Sequence, residues 1–311
     1  MPKAFVTGIN GFVGTHLNNY LIKKGYEVFG TVKPGSGDSS SDRRPVDILD
    51  FEGVKTFIND VEPDFVFHLA ALTSPSESFK NPQETITNNI GGQVNILEAL
   101  KDLKLLNTKI LIVSSAEVYG AVDKKHLPTN EDAPLKPRSP YAVTKIAQDF
   151  LGLQYFLSHK IKCIRVRPFN HIGPHQAPFF SVPSFAKQIA EIEKGLKEPV
   201  LEVGNLDSRR DFTDVRDVVR AYELLMEKGE IGEVYNIGSG KSHKIEDILN
   251  QLLSMSNVNI IVKKDPDLMR PADIPELLCD HSRLHKATGW KSEIDINTSL
   301  KDTLDYWRNI V

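Results

Sequence analysis

Hydrophobic and polar positions along the first half of the chain follow two alternating patterns. Lys3-Ala-Phe-Val-Thr7, Tyr26-Glu-Val-Phe-Gly-Thr-Val32, Asp64-Phe-Val-Phe-His-Leu-Ala-Ala71, Lys109-Ile-Leu-Ile-Val113 and Ile161-Lys-Cys-Ile-Arg-Val-Arg167 are short apolar runs. Runs of this length, ended by small or polar residues, read as buried strands. Between them lie stretches with helical spacing: 15–24, one beginning near Phe51, 88–100, and one opening at Pro140. In the last, Ser139 is a candidate N-cap, and Ile146, Phe150, Leu153 and Leu157 predict one apolar face. Strand and helix alternate throughout, which predicts an α/β fold with a doubly wound parallel sheet.

The pattern changes after residue 167. Pro168-Phe-Asn-His-Ile-Gly-Pro174 is a turn cluster, and Pro178 to Pro183 marks a crossing into a second lobe. A helix over 183–197 places Phe185, Ile189 and Ile192 on one face, and Val234–Gly238 reads as a further strand of the main sheet. The expected division is residues 1–167 plus about 213–238 as one domain, with about 168–212 and 239–311 as a smaller, mixed lobe. Gly204 to Asp217, dense in arginine and aspartate, reads as a charged surface turn.

Composition removes several function classes. The 311 residues carry a net charge of −3, so no basic surplus points to nucleic acid or an anionic membrane. No apolar run approaches the roughly 20 residues of a membrane span. The first residues enter a strand pattern at once, so the expectation is no signal peptide and a cytoplasmic protein. Cys163 and Cys279 stand in no pairing motif, which predicts neither a disulfide framework nor a cysteine zinc site. No metal site is expected.

Candidate chemistry gathers at strand ends. Gly8-Ile-Asn-Gly11-Phe-Val-Gly14 joins the first strand to a helix, and its glycines permit close approach of backbone to a pyrophosphate. Gly8, Asn10, Gly11, Phe12, Val13 and Gly14 are therefore candidate cofactor contacts. After the second strand come Thr31 and Lys33, with no carboxylate until Asp38. A lysine there attracts a 2′-phosphate, so NADP(H) is expected over NAD(H), which stays possible. Asp47, next to Ile48, either faces the adenine or caps the helix near Phe51. Leu69, Ala70 and Ala71 end the next strand in small residues, against which a cofactor can lie. His68 reads as a core histidine, and Gly91-Gly92 as a close-packing step. Ser114, Ser115 and Glu117 follow another strand, where ligands of open α/β sheets sit. Tyr141 and Lys145 are one helical turn apart on one face, and a cation near a phenol makes it a usable acid/base.

In this order the motifs resemble the extended short-chain dehydrogenase/reductase family, which acts on nucleotide sugars on a Rossmann-type fold. The residues that carry the resemblance are Gly8-x-x-Gly11-x-x-Gly14, His68-Leu-Ala-Ala71, Asn89 before Gly91, Ser115 before Tyr119-Gly120, Tyr141-x-x-x-Lys145, Arg210-Asp-Phe and Arg270-Pro. The resemblance implies that Tyr141 moves a proton, that Lys145 holds the nicotinamide ribose and acidifies Tyr141, and that Ser115 bonds the reacting sugar oxygen. It gives Glu117 a bond to the sugar or the backbone, adds Asn89 and Pro168 to the cofactor site, and assigns the diphosphate to Arg210 and Arg270. Asn170, Thr73, Lys187 and Glu276 complete its substrate site. It also implies a homodimer through a four-helix interface, built from the helix after Asn88 and the one carrying Tyr141.

Gly204-Asn-Leu-Asp-Ser-Arg-Arg-Asp and Arg270-Pro-Ala-Asp-Ile-Pro-Glu-Leu-Leu look like the GDP-mannose 4,6-dehydratase branch and its ketoreductase relatives. Phe169-Asn-His-Ile-Gly-Pro174 is more similar to the ketoreductases. Relatives that eliminate water carry a polar residue between Ser115 and Glu117, where this chain has Ala116. The expected activity is NADPH-dependent reduction of the C4 ketone of GDP-4-keto-6-deoxy-D-mannose to GDP-D-rhamnose. The alternatives are a 4,6-dehydratase or 4-epimerase with retained cofactor, or a non-catalytic nucleotide-binding protein.

Overall fold

The computed structural model describes residues 1–37, 39–269 and 274–311. In chain order the strands are β1 (Lys3–Thr7), β2 (Glu27–Val32), β3 (Arg43–Pro45), β4 (Phe65–His68), β5 (Lys109–Val113), β6 (Lys162–Pro168), β7 (Asn170–Ile172), β8 (Val200–Val203), β9 (Arg209–Asp214), β10 (Val234–Ile237), β11 (Ser242–Lys244), β12 (Ile261–Lys264) and β13 (Glu276–Leu277). The helices are α1 (Phe12–Lys23), α2 (Phe51–Val61), α3 (Pro75–Lys80), α4 (Pro82–Ile86), α5 (Gly92–Asp102), α6 (Pro140–His159), α7 (Ser181–Glu193), α8 (Val215–Lys228), α9 (Ile245–Ser254), α10 (Ser282–Thr288) and α11 (Ile296–Ile310).

Seven strands form one parallel sheet in the order β10-β6-β5-β4-β1-β2-β3. Apolar residues point to both faces, as the continuous runs predict. On one face Val6, Leu111 and Val166 pack with Leu17 and Leu21 of α1 and Val218 and Leu225 of α8. On the other, Phe5, Val66 and Ile110 pack with Phe57 of α2, Ile96 of α5 and Tyr155 of α6. The second lobe packs α7, α9 and α11 through Phe185, Ile189, Leu249, Leu252, Leu300 and Leu304. Its spine is β9, which pairs with β11, β13 and β7. Leu284 and Trp290 fill the core beneath the main sheet.

The apolar stripe of α6 is turned away from the core: Phe150 and Leu157 are 50% and 58% exposed. The buried face is polar, carrying Tyr141, Thr144, Lys145, Gln148 and Asp149. Asp149 turns inward because it accepts from Arg165 Nη1 at 2.6 Å and Arg167 Nε at 2.7 Å. One expectation is corrected: the stretch 204–217 is not a surface turn. Its Arg210, Asp211, Asp214 and Asp217 are buried. Asp211 accepts from Ser239, Gly240 and Cys279, Asp214 from Ser299, and Asp217 from Glu293 and Ile294. A carboxylate that collects several donors tolerates burial, whereas an unpartnered one does not.

Candidate active site

A cleft of about 1310 Å³ opens over the carboxyl ends of the main strands. Its first wall is the β1–α1 turn. Gly8 has φ +70°, and its amide donates to Thr31 O at 3.1 Å. A Cβ on Gly14 would lie 2.2 Å from Gly8 O, so only glycine fits. Helix α1 starts behind Gly11 with no side-chain cap and no acidic residue in its first turn. Its leading amides are thus free to receive an anion, and the Gly14 cradle admits the close backbone approach that a dinucleotide pyrophosphate requires.

The expected cofactor residues gather here. Gly8, Asn10, Gly11, Phe12, Val13, Gly14, Thr31, Lys33, Asp47, Ile48, Leu69, Ala70, Ala71, Tyr141, Lys145 and Pro168 all line the cleft. Asp47 accepts from Leu49 N, while the cap of α2 is Asp50, which accepts from Gly53 N. Gly92 packs where a Cβ would meet Ile48 at 2.4 Å, so the glycine step is a packing device. Asn89 stands apart from its expected role. It is fully buried behind the cleft, where it bonds both backbone groups of Leu72 and Thr144 Oγ1. It ties the loop after β4 to α6 and lies outside the lining. His68 is a core histidine: its Nδ1 meets Thr7 Oγ1 at 2.9 Å, and burial pushes its imidazole down to about 3.

At the reacting end, Tyr141, Lys145, Ser115 and Glu117 converge on the cleft. Ser139 caps α6 by accepting from Ala142 N, which sets the turn that carries Tyr141. Burial pushes the Tyr141 phenol above its ordinary value; a hydrogen bond with Ser115 pulls it down, and Glu117 raises it. Lys145 Nζ donates to Val113 O at 2.9 Å and lies 5.8 Å from the centre of the Tyr141 ring. Burial pushes Lys145 down to about 7. Burial is the largest influence on both groups.

The substrate residues divide. Thr73, Ser115 and Asn170 line the cleft. Lys187 does not; it pairs with Glu191 and lies over the Trp307 ring, because α7 turns that face toward α11. Glu276 pairs with Arg209 outside the lining. Arg210 is buried, donating through Nη1 to the carbonyls of Arg209 and Ile274, so it braces backbone instead of lining the cleft. Arg270 and Asp38 lie outside the described residues. Several lining residues escaped the sequence reading: Lys80 to Glu84 and Thr87 on one wall, and His171, His175, Gln176, Phe179 and Phe180 on the other. Ser74-Pro75 and Asn81-Pro82 were legible helix starts for the first wall. The second wall follows the Pro168–Pro174 turn cluster, which marked a turn there but not which side chains face the cleft. Among the described residues no group of three His, Cys, Asp or Glu could hold a metal ion, and no helix is long and apolar enough to cross a membrane.

Comparison with known proteins bears on this geometry. The family model described as GDP-mannose 4,6 dehydratase matches residues 5–303. The chain belongs to this family. Within the GDP-mannose 4,6-dehydratase family, the chain is 39% identical to GDP-6-deoxy-D-mannose reductase of Pseudomonas aeruginosa, across 99% of this chain and 98% of that one. It is 28% identical to GDP-mannose 4,6-dehydratase of Yersinia enterocolitica, across 95% and 91%. The solved structure of RMD from Pseudomonas aeruginosa complexed with NADPH superposes with a TM-score of 0.88 at 38% identity, covering all of both chains. The protein is an NAD(P)-dependent enzyme of the extended short-chain dehydrogenase/reductase type.

Proposed function

We propose that the protein reduces the C4 ketone of GDP-4-keto-6-deoxy-D-mannose with NADPH, giving GDP-D-rhamnose. The observation that carries this reading is the donor set at the reacting end. Tyr141 and Ser115 both face the cleft, giving a ketone oxygen a phenol proton donor and a hydroxyl clamp. Ala116, where eliminating relatives carry a polar group, is buried among Val118, Tyr119 and Phe169. The bound nicotinamide supplies the hydride. Ser115 bonds the C4 oxygen, Tyr141 delivers the proton to it, Lys145 holds the ribose, and the amides at the start of α1 hold the pyrophosphate. Lys33 at the cleft rim favours a 2′-phosphate and hence NADPH. Likeness to the Pseudomonas aeruginosa reductase supports the same substrate.

A 4,6-dehydratase is the second reading, favoured by one observation: Glu117 lines the cleft and is a base within the site. One assay separates the two. Purified protein is mixed with the keto sugar and NADPH, and nicotinamide absorbance is followed. One NADPH oxidised per sugar is expected, with NADH slower. Conversion of GDP-mannose to the keto sugar without net cofactor use would establish the dehydratase instead, and faster use of NADH would remove the 2′-phosphate argument.

We also infer a homodimer. Val143, Phe150 and Leu157 on α6 and Ile86 on the neighbouring α4 form an exposed apolar face, the kind that marks an association surface. Light scattering should return the mass of two chains, and Phe150→Lys should return one. A wild-type monomer would end this inference.

A further inference from the structure

Tyr222 is a second phenol at the reacting end, and neither the motifs nor the catalytic set uses it. It stands on α8, on the opposite side of the sheet from Tyr141. Its ring packs in the core with Leu111, Val166 and Leu225, and the residue is 1% exposed. Yet Tyr222 lines the cleft. A side chain rising from a helix beneath the sheet reaches that space with its tip, which is the hydroxyl. Among the described residues the hydroxyl makes no hydrogen bond, and it is not one of the fully buried unpartnered atoms, so it stands open to the cleft. Burial pushes its phenol up, and the neighbouring Tyr141 adds to this, so it stays a neutral O–H.

A phenol hydroxyl that opens on a ligand cleft offers a donor and an acceptor to whatever the cleft binds. The position says which part of the ligand. Helix α8 packs under β5, β6 and β7, beside Tyr141 and Pro168. The adenine end of the cleft is elsewhere, at Lys33, Asp47 and Ile48 beyond β1. The group Tyr222 meets is therefore at the reacting end, against the floor of the cleft. Of the nicotinamide ring, only the carboxamide offers a hydrogen-bond donor and acceptor to a phenol. We infer that the Tyr222 hydroxyl hydrogen-bonds the nicotinamide carboxamide and so fixes the rotation of the ring, making Tyr222 a cofactor-positioning residue. The inference rests on the cofactor reading above.

Tyr222→Phe keeps the ring and its packing and removes only the oxygen. Equilibrium titration of the full-length protein should show NADPH binding weakened by about three- to tenfold, the range for one neutral hydrogen bond. Binding of 2′,5′-ADP, which has no nicotinamide, should be unchanged. The melting temperature without ligand should hold, since the ring and its packing are kept, while the upward shift given by NADPH shrinks. A structural role for the hydroxyl predicts the reverse: a lower melting temperature without ligand and equal weakening of both nucleotides. That result, or unchanged NADPH binding, overturns the inference. Weakening seen only in the KM for the sugar overturns it too, by placing the hydroxyl on the substrate. Failure of the NADPH preference looks different. Wild type would then prefer NADH, whose identical carboxamide gives the same comparison against ADP-ribose.

Discussion

Tyr141→Phe should lower turnover by about 10²- to 10⁴-fold, the range attributed to one positioned acid/base group. Affinity for NADPH should change by less than about twofold, because the phenylalanine ring keeps the packing that buries Tyr141. The two measurements belong together. A variant that loses both turnover and cofactor has lost a fold, not a proton donor. Ser115 sharpens the expectation. Its Oγ accepts from Glu117 N at 3.2 Å, so the turn at the end of β5 still holds it when the Tyr141 hydroxyl is removed. The oxygen clamp should survive the substitution, and residual turnover should come from it and from proximity. A variant retaining more than about a tenth of wild-type turnover would remove Tyr141 from the proton-transfer role.

Asp149→Ala should destabilise the protein by about 3–5 kcal/mol, the range for breaking a buried pair from one side. The carboxylate is fully buried and serves two guanidinium groups, which are themselves almost wholly buried. Removing it leaves Arg165 and Arg167 charged with no carboxylate. For a chain of this size the melting temperature should fall by on the order of 10 °C, read by circular dichroism. Asp149→Asn should fall nearly as far, since it keeps shape and loses charge. An Asn variant as stable as wild type would show that charge plays no part. The loss reaches the site, because Arg167 Nη1 also donates to Tyr119 OH at 3.0 Å and to Glu131 O at 2.9 Å. Tyr119 closes the turn that begins at Ser115.

What could be read from the chain was local. Gly8, Gly11 and Gly14 declare a close approach within seven residues, and Tyr141 and Lys145 share a helix face by spacing alone. The parallel sheet followed from runs that are apolar on both faces. Burial set by distant partners was not legible. Asp211 looks like any surface aspartate until Ser239 and Cys279 arrive from 28 and 68 residues away. Periodicity showed that α6 has an apolar stripe and gave no information on what covers it. The polar face went inward because Arg165 and Arg167 on β6 waited for Asp149. Lys187 was misplaced for the same reason: helical spacing does not say which neighbour a face will meet. Tyr222 sits in an ordinary amphipathic helix, where a tyrosine on the buried face looks like packing.

The burial of residues 209–217 also bears on the order in which the chain leaves the ribosome. Asp214 has Arg216 beside it at once, but its further donor Ser299 comes 85 residues later. At about 5–20 residues per second that gap lasts on the order of 4–17 s. Strands β1 to β6 already have their neighbours by then, and the glycine turn with them. During that wait β9 has β7 beside it, and Asp214 still lacks its bond from α11. The nascent protein thus assembles the wall that takes a dinucleotide well before the joint that locks the second lobe.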